Sequence, residues 1–144
     1  MTGHRLEITP IGHVTTSFTD LSAVPSQASE STQSTGTVVL RKDLVDALLG
    51  LDRYPFLWLV TWLHQGGDEP APLQCVPRAK EAEGKTQGVF ASRSPRRPNS
   101  IGLSLVRQLQ VVDNTIAFAG VDLIDGTPVL DIKPWFEDCD LPPS

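Results

Sequence analysis

Apolar residues in this 144-residue chain recur mostly at a spacing of two, and that spacing predicts strands. Leu6 and Ile8 alternate with polar neighbours and predict a strand over Arg5–Val14, broken at Pro10. Thr37–Leu40 predicts a second strand. Phe56–Leu63, FLWLVTWL, is rich in branched and aromatic side chains and has no polar face. It predicts a fully buried strand, with Trp58 and Trp62 in the core. Leu73–Val76 and Gly88–Phe90 are short strand candidates flanking a charged loop. Ile101–Val112 alternates through Leu103, Leu105 and Leu109, turns at Asp113-Asn114, and returns over Thr115–Leu123. Asp125-Gly126 signals another turn, into Pro128–Ile132, which ends at Pro134. Helical spacing shows once. Asp43 caps a short segment with Leu44, Val45, Leu48 and Leu49 on one face and Gly50 behind it. The tail, Glu137–Ser144, predicts a frayed end.

Six or seven strands in series with one short helix predict a mainly β fold, an antiparallel barrel closed or nearly closed. The length is that of a single domain over residues 1–144, with no C-terminal extension domain expected. A doubly wound nucleotide fold needs alternating helices and a glycine-rich strand-to-helix loop, and the sequence has neither. Thr15–Gly36 shifts to Ser, Thr, Gln and Pro, a stretch too long for a plain connection in a small domain. The N-terminus lacks a signal-peptide pattern and Pro55–Leu63 is too short to span a bilayer, so a soluble, cytoplasmic protein is expected.

The net charge of -5 argues against a protein that coats nucleic acid. The charge is unevenly spread, however. No acid lies between Glu83 and Asp113, whereas Lys85, Arg93, Arg96, Arg97 and Arg107 do. Such a segment focuses positive potential on one site. Within GVFASRSPRRPNSIGLS, Pro95 and Pro98 fix their own φ and press Ser94 and Arg97 toward extended backbone. The arginines are therefore either a solvated connection or a stiff clamp for phosphate or carboxylate. In VDLIDGTPVLDIKPW, Asp125 either satisfies its own turn or joins Asp122 and Lys133 at a pocket mouth. Cys75 and Cys139 are far apart, without metal-ligand spacing, and no metal site is expected. His4 and His13 have no partner in the pattern. No hydrolase, zinc-protease or glycosidase signature is present.

Four blocks in order, ITPIGHVTTSF, LLGLDRYPFLWLVTWLHQ, GVFASRSPRRPNSIGLSLV and VDLIDGTPVLDIKP, resemble the TrmO family, also called TsaA-like or YaeB-like. The resemblance runs from about Ile8 to Pro134. It implies a methyltransferase dependent on S-adenosylmethionine, built on a single-sheet β-barrel and working as a homodimer. The substrate it implies is the base nitrogen of threonylcarbamoyl-adenosine next to the anticodon of tRNA. The family's Pro-Arg-Gln element falls on Pro25, Ser26 and Gln27, with Ser26 in the arginine's place. Its strand-end pair falls on His64 and Gln65, its loop arginine on Arg93, and its apolar contact on Leu103. Its DLxDGTP element begins at Asp122 and continues through Leu123, Ile124, Asp125 and Gly126 to Pro128. These positions imply the cofactor site. Arg96, Arg97, Asn99 and Lys133 are then left for phosphate or the threonyl carboxylate of the substrate. No catalytic base is assigned. A cofactor-binding barrel that acts on another small molecule, or serves as a binding module, is the second reading.

Overall fold

β1 (Gly12–Thr15) begins two residues after Pro10, so the expected strand over Arg5–Val14 is reduced to its last third. Leu6 is 83% exposed, and among the described residues no strand pairs with the chain before Ile11. The computed structural model describes residues 3–17, 34–63, 70–120 and 122–143. β2 (Thr35–Leu40), β3 (Phe56–Trp62), β6 (Ile101–Val112), β7 (Thr115–Ala119) and β8 (Pro128–Pro134) join β1 in a closed barrel ordered β1-β2-β7-β6-β3-β8. Every neighbouring pair is antiparallel, so the expected barrel is present. β4 (Gln74–Cys75) and β5 (Gln87–Gly88) pair only with each other, as a short ribbon.

The core fills the barrel interior. Val14, Val38, Leu57, Leu59, Val106, Ile116, Phe118 and Val129 are inaccessible or nearly so and form one cluster. Each such side chain contributes about 1.5–3 kcal/mol by leaving water. Barrel strands have two faces, and this corrects the reading of FLWLVTWL. Leu57, Leu59 and Thr61 point inward, while Trp58 and Trp62 stand on the outer wall. β6 shows the same thing in reverse of the usual expectation. Its leucines 103, 105 and 109 are exposed, and Gly102, Ser104 and Val106 face the interior. Space explains it: a Cβ on Gly102 would lie 2.5 Å from Thr61 Oγ1 and 2.8 Å from Leu63 Cδ2. Gly12 is needed for the same reason, since a Cβ there would run into the Val39 carbonyl of β2.

The predicted helix is a 3-10 segment, Lys42–Leu48. Asp43 does not cap it. The Asp43 carboxylate instead takes two hydrogen bonds from the Arg41 guanidinium, Nη2 to Oδ2 at 3.1 Å and Nε to Oδ1 at 3.2 Å. Only Leu48 of its apolar face is buried, and Leu49 is 95% exposed. The tail is ordered rather than frayed: α1 (Glu137–Asp140) folds back on the barrel, and Asp140 accepts from Trp58 Nε1 at 3.2 Å. Cys75 and Cys139 are free thiols. Among the described residues no helix is long and apolar enough to cross a membrane.

Candidate functional site

The antiparallel order fixes which connections meet. β1, β3 and β7 end, and β2, β6 and β8 begin, at the same rim of the barrel. Residues 16–34, 63–100 and 120–127 all join strands there. The opposite rim has only 41–55, the Asp113-Asn114 turn and the two chain ends. Every cofactor position implied by the family resemblance lies in or beside one of the three connections at the first rim. Pro25, Ser26, Gln27, His64 and Gln65 fall outside the described residues, in two of these connections.

The 120–127 connection is held firmly. Gly120 donates to Ser34 O at 2.9 Å and has a φ of 91°, where side chains are strained. Leu123 and Ile124, 3% and 6% exposed, plug the barrel mouth. Ile124 to Thr127 form a turn closed by Thr127 N–H to Ile124 O at 3.1 Å, with Gly126 at φ 85° in its third position. Thr127 Oγ1 donates to the same carbonyl at 2.6 Å. Gly126 N–H donates to Val14 O at 2.7 Å, and open space surrounds its Cα, so other atoms can approach the turn closely.

Two carboxylates flank that turn. Asp125 is exposed and accepts from Thr16 N–H at 3.0 Å through Oδ1, so it ties the turn to the end of β1 rather than satisfying itself. Thr16 Oγ1 in turn donates to Leu123 O at 3.2 Å. Asp122 is half-buried and accepts from Ser104 Oγ at 2.7 Å, a short bond of the kind that fixes a carboxylate. Near the end of β3, opposite Gly102, Thr61 Oγ1 is fully buried and has no hydrogen-bond partner among the described residues. The polar side chains here are carboxylates, which accept, and hydroxyls. Such a set suits ammonium and hydroxyl groups, which S-adenosylmethionine carries.

Residues 88–100 form the cationic part. Ser92 Oγ donates to Val89 O at 2.8 Å and accepts from Ser94 N–H at 3.3 Å. Arg97 Nη1 donates to Ser92 O at 3.0 Å and Ser94 O at 3.2 Å, so this guanidinium braces its own loop. Arg93, Arg96 and Asn99 are exposed on that frame. The loop rejoins the barrel where Leu63 N–H donates to Ser100 O at 2.7 Å. Lys133 is not brought to this rim. It sits five positions down β8, about 16 Å along the strand, on the outer wall and paired with Asp131 at 3.2 Å. Leu103, 55% exposed, also faces outward, beside Val60. Ser104 and Thr61 escape sequence reasoning because they alternate with apolar residues whose faces are read the wrong way round. Among the described residues no cluster of His, Cys, Asp and Glu could hold a metal.

The family model of the tRNA-methyltransferase O N-terminal domain matches residues 13–141. The chain belongs to that family. Three comparisons locate it within the family. A putative S-adenosylmethionine-dependent methyltransferase RcsF of Pseudomonas aeruginosa is 36% identical over 139 residues, 95% of this chain and 58% of that protein. The tRNA (adenine(37)-N6)-methyltransferase of Mus musculus is 36% identical over 137 residues, 92% of this chain and 31% of its own. A probable S-adenosyl-L-methionine-binding protein of Methanothermobacter thermautotrophicus is 36% identical over 140 residues, 97% of each chain. The crystal structure of TrmO from P. aeruginosa superimposes with a TM-score of 0.79 at 34% identity, covering 97% of this chain and 59% of that one. This chain thus spans 58% and 31% of the first two relatives and nearly the whole of the third.

Proposed function

We propose that this chain is an S-adenosylmethionine-dependent methyltransferase that methylates the base nitrogen of threonylcarbamoyl-adenosine next to the anticodon of tRNA. The observation that carries the reading is convergence. The family's cofactor positions are scattered through the sequence, and the barrel brings their segments to one rim. When bound, S-adenosylmethionine supplies a methyl carbon already activated by its sulfonium. Asp122, oriented by Ser104, and Asp125, anchored by Thr16, are the groups to hold the cofactor's ammonium and hydroxyls. Leu123, Ile124 and Gly126 offer backbone groups and a dry floor. Arg93, Leu103, Pro25, Ser26, Gln27, His64 and Gln65 complete the set by family correspondence. Arg96 and Asn99 face the substrate's anionic groups, with Arg97 keeping their loop rigid. Lys133 takes part only if RNA extends down the outer wall. Positioning and exclusion of water supply most of the rate in such a displacement, so no catalytic base is assigned.

We take the working unit to be a homodimer in the cytoplasm. Its support is the outer face of β3 and β6, where exposed Trp62, Ile101, Leu103 and Leu105 lie in adjacent register. An apolar patch of this kind is what a self-complementary two-fold interface covers. Sedimentation equilibrium tests it, and a monomer at micromolar concentration would remove it.

The decisive experiment combines a calorimetric titration with S-adenosylmethionine and transfer of a labelled methyl group to tRNA carrying threonylcarbamoyl-adenosine. Cofactor binding with transfer is the expected result. Cofactor binding without transfer, and without tRNA retention at low salt, would instead favour a barrel acting on another molecule.

A further inference from the structure

Phe90 is 80% exposed, on the segment Gly84–Val112, which has five cations and no acids. Its exposure is built in. Val89–Ala91 is a 3-10 turn, in which successive side chains point about a third of a turn apart. Val89, 2% exposed, occupies the inward position, which leaves Phe90 outside. Val89 N–H donates to Leu73 O at 3.0 Å, and that bond sets exposed Leu73 alongside the turn. The frame beneath is rigid. Ser92 Oγ holds Val89 O at 2.8 Å, Cys75 Sγ lies 3.4 Å from Ser92 Oγ, and Arg97 clamps the following carbonyls. Exposed Arg93 and Arg96 follow three and six residues later on the same frame.

An exposed ring on a rigid mount among arginines has the chemistry that recognises single-stranded RNA, since every unstacked base offers a π-face and every linkage a phosphate. A protein-docking spot would present a ring of apolar neighbours around the aromatic side chain. Here the ring shares its frame with exposed Leu73 and Val76 and with exposed Arg93 and Arg96. Resting on the tRNA reading above, we infer that Phe90 is a stacking platform for an unpaired base flanking the target adenosine, with Arg96 on the adjoining phosphate. Phe90 thereby positions the substrate without touching the reacting atoms. The ring and the phosphate contacts also divide the work: stacking releases no counterions, whereas each arginine–phosphate contact does.

The test uses an anticodon stem–loop RNA with a fluorescent adenine analogue beside the target position. Wild-type protein is expected to quench the probe. Phe90→Ala should weaken RNA binding by about 5- to 100-fold, the range of a lost base–aromatic stack. It should leave both the slope of affinity against salt and the cofactor affinity unchanged. Phe90→Trp should restore binding, and Phe90→Leu, apolar but without a π-face, should not. Arg96→Ala should reduce the salt slope by about 0.7, one single-strand phosphate contact. Wild-type RNA affinity in Phe90→Ala, with a loss in Arg96→Ala, would overturn the platform and leave the tRNA reading standing. Absence of RNA binding by the wild type, with cofactor bound, would overturn both. A changed association state in Phe90→Ala would assign the ring to a protein contact and overturn the platform as well.

Discussion

The two rims of the barrel are built from different materials. At the rim that carries 41–55 and the Asp113-Asn114 turn, the interior and its edges are packed and paired. Tyr54 meets Phe136 edge-on at 5.7 Å, Phe56 meets Trp135 at 5.9 Å, and Arg107 lies over Phe56 at 4.9 Å. Asn114 and Gln108 side chains satisfy the carbonyls of Leu40, Asp52 and Tyr54. At the rim with long connections the interior turns polar. Thr61, Ser104 and Thr127 are buried there, one of them without a partner. Burying hydroxyls weakens a core, so the difference shows where stability is concentrated and where room is kept for a ligand.

Leu57→Ala should break the packed half most severely, costing about 2–5 kcal/mol in denaturant unfolding and leaving the cofactor affinity of the folded fraction as it was. A matching loss of affinity would mean the rims are not separable. Next comes Gly102→Ala, whose new methyl presses on Thr61 and Leu63. A cost of about 1–3 kcal/mol is expected, and here weaker cofactor binding should accompany it. Thr61→Val keeps the shape and removes the orphaned hydroxyl, so thermal unfolding should show a gain of about 1 kcal/mol. A loss would mean that the hydroxyl has a partner in solution. Asp43→Asn should change least. Hydrogen bonding to Arg41 holds the Asp43 carboxyl below its usual range, so its contribution is present above that range and disappears as pH falls through the lowered value. The pair lies on the solvent-exposed surface, so unfolding curves of wild type and variant should differ only slightly at neutral pH and merge in acid.

The approximate number of strands and the barrel class were legible in the sequence because alternation and turn signals are local. Ile101–Val112, its Asp113 turn at φ 52° and the Gly126 turn stand as expected. Facing was not legible. An alternating strand states which residues share a face, and only the partners of Gly102 decide which face is inside. The helix and the tail were misread for a related reason. Asp43 finds Arg41 two residues away, and the tail finds Trp58 across the fold, neither of which a local pattern shows. Of the candidate site, Asp122, Asp125 and Gly126 are neighbours in the sequence, while Ser104 and Thr16, which hold the two carboxylates, come from β6 and from the residue after β1.

The bond from Leu63 N–H to Ser100 O fastens both feet of the cationic excursion at one point on the barrel wall. Its loop-closure entropy is met there, and the ribbon, the Ser92 brace and the Phe90 tip are organised above that point largely by contacts of their own. Evolution can therefore lengthen, shorten or exchange everything between these two residues without renegotiating the barrel. The same joint, Leu63 to Ser100, gives an engineer a place to cut.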